Sequence, residues 1–486
     1  MKYFCLIIIL FCVRSIELHA QTIREQYATF HKGTHQKYAD FRKRANWEYV
    51  DFMRRAWNYY QVLPKVPKPK DEPPSPFIIY SEKGENKQSI SFPINEEMIP
   101  LERIMPQPKP IVPIKEIESP IETYFTYSFF GTECKVRLGN EHRFALKDCD
   151  TNTLADAWLR LSGEEYNNVV RDCLELRIRL HLCDWAYLLM LHDLSSAFLG
   201  KETNESVLLS AYLYSQSGYK MRLAEVGGHL YFLFGSRHII YDMNYWEMEN
   251  EKYYPLDCEE TSLNICQASF PNEQPLSLVI QDEQLFTVEA TSLRTLQSKA
   301  FPALKVEVSS NKNLLNFMST YPSSMLGEDF GTRWTFYANT PLSKQTKSEL
   351  YPVLQNIVKG KSQKDAANIL LNFVQTAFVY EYDDKVWGAD RAFFADETLY
   401  YPYCDCEDRS ILFTRLVRDL LQLKTALIYY PGHLATAICF TENVKGDYVP
   451  LDGVRYVICD PTYINAPVGV AMPSMDSSQA KIILLN

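Results

Sequence analysis

Apolar residues near the start of the chain recur with a long helical period. The blocks YATFHKGTHQK, YADFRKRANWE and YVDFMRRAWNY begin at Tyr27, Tyr38 and Tyr49, and Phe30, Phe41 and Phe52 keep the same step of 11. Eleven residues make close to three α-helical turns, so these aromatics line one stripe of an amphipathic helix within 21–62, enlarged by Ala45, Ala56 and Trp57. Such a stripe either packs on its own protein, the expected case, or docks a partner helix through residues 27–57. Arg42, Lys43, Arg44, Arg54 and Arg55 are expected on the solvated face.

Prolines then dominate. VLPKVPKPKDEPPSP (62–76) and MIPLERIMPQPKPIVPIKEIESP (98–120) block helices and central strands, so 63–120 reads as a semi-rigid linker with one hairpin in FIIYSEKGENKQSISFPI. From 121 the pattern becomes globular. ETYFTYSFF and CKVRL alternate as strands, and the Leu-rich run from Thr151 to Gly200 has helical spacing. Residues 261–345 (LSLVIQDEQLFTVEA, ALKVEVS, TRWTFYAN) alternate and predict a β-rich segment. In 346–486, KSQKDAANILLNFVQTAFVYEY predicts a helix running into an extended segment.

Composition adds limits. The 486 residues allow two or three domains with buried cores, and a net charge of −10 argues against a nucleic-acid surface. MKYFCLIIILFCVRSIELHAQ has a Lys, an apolar stretch from Tyr3 to Val13 and Leu18-x-Ala20, the pattern of a cleaved signal peptide over 1–20. The protein is thus expected to be secreted, periplasmic or envelope-associated, with no transmembrane segment in the mature chain. Of 12 cysteines, Cys5 and Cys12 leave with the signal; some of the others can pair in an oxidising compartment. Neither a CxxC pair nor HExxH appears, and no metal or cofactor is expected.

The chemistry concentrates in YYPYCDCEDRSILF (400–413). Asp405 is a good N-cap, Asp408 follows three residues later as in a capping box, and Ile411, Leu412, Leu416, Val417, Leu420 and Leu421 recur with helical spacing. Cys406 therefore sits in the first helical turn, where free N–H groups and the helix dipole favour a thiolate, against the opposing charges of Glu407 and Asp408. His433 follows a Pro-Gly turn and opens the strand of YPGHLATAI. The next strand, RYVICDPTY, ends in Asp460. Thiol, imidazole and carboxylate in this order form an activated-nucleophile set for acyl transfer. Parity along the strands turns Cys459 away from a site that His433 and Asp460 share. One oxyanion donor is expected to be the Cys406 N–H, with a second in VWGADRAFFADETLYYPY. Trp387, Tyr400 and Tyr401 either line the substrate groove or belong to the core.

DCEDRS, the Gly-His pair and DPTY together resemble the transglutaminase-like superfamily, the papain-like clan of transglutaminases and many bacterial cysteine peptidases and amidases. The resemblance spans 346–470. It implies an α+β fold in which a helix packs on an antiparallel sheet, with Cys406 as nucleophile, His433 as general base and acid, and Asp460 as the orienting residue. The family often has Gly before the Asp-Cys, whereas this chain has Cys404, which leaves open a Cys404–Cys406 redox link that blocks the nucleophile.

A second pattern suggests duplication. Ser206 to His229 spans 23 residues, as does Ser410 to His433, and IIYDMNY (239–245) echoes VICDPTY (457–463). This pairing matches Asp242 with Asp460 and Glu202 with Cys406, and predicts a degenerate transglutaminase-like domain over 121–260. The expected function is an exported cysteine protease, other amide hydrolase or transglutaminase-type enzyme working through a thioester on a peptide or protein substrate of the cell envelope. The resemblance favours hydrolysis over crosslinking. The alternative is a non-catalytic envelope scaffold.

Overall fold

The computed structural model describes residues 40–69, 98–99, 108–111, 123–327, 329–473, 475 and 480–485. The chain folds as α+β, with helices packed on antiparallel sheets. Among the described residues no helix is long and apolar enough to cross a membrane. The signal segment 1–20 and the hairpin expected in 77–94 lie outside the described residues.

Two six-stranded sheets dominate, and they share one topology. In the upstream unit a helix, α1 (Asn204–Gln216), precedes β1 (Met221–Val226), β2 (His229–Ser236), β3 (Trp246–Met248), β4 (Glu251–Pro255) and β5 (Ser262–Cys266). In the downstream unit α2 (Cys406–Leu421) precedes β6 (Lys424–Tyr430), β7 (His433–Cys439), β8 (Tyr448–Leu451), β9 (Val454–Cys459) and β10 (Lys481–Leu484). The sheet orders are β5-β1-β2-β4-β3 and β10-β6-β7-β9-β8, element for element the same. Each gains a sixth strand from the N-terminal part of the chain. Trp57–Gln61 pairs antiparallel with β5, and Met98–Ile99 pairs parallel with β10.

Side-chain alternation explains the downstream packing. Ile438, Val457 and Cys459 join Leu412, Phe413, Leu416 and Val417 of α2 and the helix Gln363–Ala377 in one core. Ala435, Ala437 and Ile458 point to the other face and pack with Ala426, Ile428 and Ile482. Helix and sheet are also pinned by polar groups, since Ser410 Oγ donates to the Leu434 carbonyl at 2.9 Å and the Thr414 and Thr436 hydroxyls lie 3.3 Å apart.

Several expected elements are present. Phe125–Phe129 and Thr132–Val136 form a hairpin, and Thr151–Leu161, Asn167–Arg179 and Asp184–Leu199 are helices. Gln363–Ala377 runs into the extended pair Val379–Tyr380. Others differ. Within 21–62 the described helix covers 40–53, and Trp57 opens a strand instead of extending the helix. The buried face of that helix is Arg42, Asn46, Tyr49, Val50 and Met53, while Phe41 and Phe52 are exposed. Of the stripe's described Tyr and Phe positions, Tyr49 is buried and Phe41 and Phe52 are not. Arg42 is not solvated, because Asn167 and Tyr212 accept its guanidinium N–H groups. The segment 261–345 is less β-rich than its alternation suggests: TRWTFYAN contains the helix Arg333–Asn339, and another helix covers Lys312–Met318. Trp334, Phe336 and Tyr337 fall on a buried helix where aromatic spacing alone reads equally as strand.

Candidate active site

The first turn of α2 is built as its sequence dictates. Asp405 caps the helix by accepting from the Glu407 N–H at 3.1 Å, and Asp408 reaches back to the Asp405 N–H at 3.2 Å. Asp408 also accepts from the Phe393 N–H at 2.8 Å, which ties the preceding loop to the helix start. Cys406 is the first helical residue and is buried. Its sulfur receives the backbone N–H of Leu434. The helix therefore brings Cys406 beside the residue that follows His433, at the end of the sheet where β7 begins.

His433 and Asp460 meet directly. Nε2 of His433 lies 2.8 Å from Oδ2 of Asp460, and both residues are 1% exposed. The other carboxylate oxygen accepts from the backbone N–H groups of Thr462 and Tyr463, at 2.8 and 3.1 Å. An aspartate so held accepts a hydrogen bond from Nε2–H, which leaves Nδ1 as the basic nitrogen. Nδ1 is buried and has no hydrogen-bond partner. No hydrogen bond joins it to Cys406: strand alternation sets His433, stacked on Tyr430, with Ala435 on the sheet face away from Leu434 and α2, so thiol and imidazole are not engaged. Cys459, on the opposite face from Asp460, packs with α2 as parity requires.

The thiol differs from its expected state. Burial, followed by the charges of Asp405 and Glu407, pushes Cys406 well above the ordinary thiol range, and the helix start with its Leu434 N–H does not offset this. Local charge and desolvation outweigh the dipole because Cys406 is only 4% exposed. Cys404 faces elsewhere. It packs in the cluster around the Gln363–Ala377 helix, accepts from Arg409 Nε at 3.4 Å, and is a free thiol. All ten cysteines from Cys134 to Cys459 are free.

Three further residues complete the surroundings. Gln375 donates Nε2 to the carbonyls of Asp460, Tyr463 and Ala466 at 3.0, 2.8 and 3.1 Å, and accepts from the Asn465 N–H at 3.2 Å. It fastens the loop that carries Asp460. Tyr430 stacks on the His433 ring, with centroids 6.3 Å apart. Burial, followed by the Cys406 site, pushes the Tyr380 hydroxyl well above its ordinary range. None of these three stood out in the sequence, although Gln375 is a polar residue on an otherwise apolar helix face, and that was its only signal. Trp387, Phe393 and Tyr401 pack on one another, and Tyr400 meets Tyr401 edge-on while remaining exposed.

The upstream unit repeats this corner with different residues. Asn204 is the first residue of α1, and its Oδ1 accepts from the Leu230 N–H at 2.9 Å. Leu230 follows His229 as Leu434 follows His433, so Asn204, and not Glu202, stands where Cys406 stands. Glu202 lies in the turn before the Thr203 cap. The ladder register makes a second correction. Thr436 opposes Cys459, which sets Asp460 opposite Ala435; Leu233 opposes Pro255, which sets Asp257 opposite Tyr231. Both partners lie two residues beyond the histidine, so the counterpart of Asp460 is Asp257 and not Asp242. Asp242 follows a strand paired in a different sheet. Asp257 is exposed and lies 3.6 Å from His192.

No protein-family model, no curated protein and no solved structure matches this chain.

Proposed function

We propose that the chain is an exported, transglutaminase-like cysteine enzyme acting on amide or peptide bonds through a thioester on Cys406. The observation that carries this reading is the 2.8 Å pair between His433 Nε2 and Asp460 Oδ2, with Nδ1 unpartnered and Cys406 on the adjoining Leu434 N–H. Asp460 holds the tautomer in which Nδ1 is the base. In this reading the imidazole turns toward the sulfur on substrate binding; the thiol proton then passes to Nδ1 as the sulfur attacks the carbonyl carbon, and backbone N–H groups at the start of α2 stabilise the oxyanion. The imidazolium then protonates the leaving amine. Water or an amine takes the acyl group from sulfur and regenerates the thiol. The expected papain-like core, the clan resemblance and the peptide or protein substrate belong to this proposal.

A second reading, a non-catalytic envelope scaffold, is favoured by the burial of Cys406, His433 and Asp460 and by an upstream unit whose nucleophile position holds Asn204. Incubating the mature protein with a peptide library and following products by mass spectrometry separates the two. Cleavage, deamidation and crosslinking change mass differently, and all should vanish in Cys406→Ala. Turnover that survives this substitution would overturn the enzymatic reading; no product in any channel would favour the scaffold.

A further inference from the structure

The helix over 40–53 carries two lines of side chains, and the protein covers one of them. Arg42, Asn46, Tyr49, Val50 and Met53 are buried, the last three in the core of the upstream unit. Phe41, Ala45, Glu48 and Phe52 follow at steps of four, three and four, which sets them on a second line of the same helix. Phe41 and Phe52 remain 41% and 42% exposed, and Ala45 is half-buried. Two open rings on one line, three helical turns apart, make a row that a long partner surface can cover.

Charge says what the row fits. Arg44 pairs with Glu48 at 3.9 Å and Arg55 with Asp51 at 2.8 Å, all through exposed side chains. Such exposed pairs contribute little each, so exchanging their partners costs little. In a second copy laid antiparallel, Phe41 comes level with Phe52 of that copy, and two-fold symmetry repeats the contact at the other end. The same register sets Arg44 between Glu48 and Asp51 of the second copy. Ala45, small, lies near the crossing point, where the backbones approach most closely. A parallel pairing instead sets Arg44 level with Arg44 and Glu48 level with Glu48, like on like. We propose that the protein forms a two-fold dimer through this helix, packed antiparallel on Phe41, Ala45 and Phe52 and registered by reciprocal Arg44–Glu48 pairs. One short helix is a small contact for a dimer, so a dissociation constant on the order of micromolar is expected.

This inference does not rest on the thioester chemistry. Sedimentation velocity of the mature protein, with reductant present and at concentrations on both sides of micromolar, should show a monomer passing to a dimer. Phe41→Glu and Phe52→Glu should hold it monomeric throughout, with the far-UV circular dichroism unchanged. Charge reversal reads the register. Arg44→Glu alone and Glu48→Arg alone each set like charges across the two-fold axis, and should raise the dissociation constant about tenfold. An equimolar mixture of these two variants opposes unlike charges in both contacts, and should associate as tightly as the unsubstituted protein. A chain that stays monomeric at every concentration would overturn the proposal. A dimer that persists in Phe41→Glu would place the contact on another surface and overturn it equally. A mixture no tighter than its components would exclude the antiparallel register.

Discussion

The backbone N–H of Leu230 donates to the side-chain oxygen of Asn204, as that of Leu434 donates to the sulfur of Cys406. The amide also bonds the Gly228 carbonyl at 2.9 Å, so it ties α1 to the β1–β2 hairpin end. The upstream corner is therefore held by a structural amide at the position of a thiol. Asn204→Ala should destabilise the protein by about 1–3 kcal/mol, since it strands partly buried backbone groups. Urea denaturation checks this.

Cys406→Ala should leave the fold in place, with a denaturation midpoint changed by no more than about 1 kcal/mol in stability, because one small sulfur is lost. Turnover, where found, should fall roughly 10⁴-fold or more, as expected when a covalent nucleophile is removed.

Asp460→Asn should be nearly as damaging to turnover. The carboxylate accepts on both sides, from His433 Nε2 and from the Thr462 and Tyr463 N–H groups. An amide can accept on one side only. If its NH₂ faces His433, the proton moves to Nδ1 and the base is lost. A fall of about 10²–10⁴ in kcat, with KM little changed, is the expected result of steady-state kinetics.

Gln375→Leu keeps the volume and deletes four hydrogen bonds around the Asp460 loop. The buried carbonyls of Asp460, Tyr463 and Ala466 lose their shared donor. A loss of at least about 3 kcal/mol in chemical denaturation follows.

Glu397 supplies a pH signature. Burial raises its carboxyl from 4.5 to about 7, against the lowering influence of Arg391. Between these values the folded protein holds a proton that the unfolded chain releases. Stability contributed by this group is complete below about 4.5 and lost as pH rises to about 7, by on the order of 2–3 kcal/mol. In Glu397→Gln the slope of stability against pH across that window should be shallower. An unchanged slope would rule this group out as its source.

Legibility followed the range of the interactions. The Asp405 cap, the Asp408 capping box and the Pro-Gly turn before His433 are local signals, and the structure has each where the sequence puts it. The correspondence between the two units was visible as a repeated spacing, but its alignment was not. The α1 start lies 25 residues before His229 and the α2 start 27 before His433, so equal Ser–His spacing misplaced the nucleophile position. Asp257 emerges only from strand register, which no string comparison supplies. Gln375 and Tyr380 depend on tertiary contacts between distant segments. Burial of Cys406 likewise belongs to the packed protein, and it reverses the thiolate preference that a helix start alone suggests.

The two strands Trp57–Gln61 and Met98–Ile99, one before and one within the proline-rich stretch, each close one outer edge of a sheet. A fragment beginning at residue 121 would retain every helix and strand of both repeated units yet present two open rows of backbone donors and acceptors. Such rows recruit other chains. Expressed alone, that fragment should self-associate, and light scattering would show it; supplying residues 21–120 in trans should restore monodispersity.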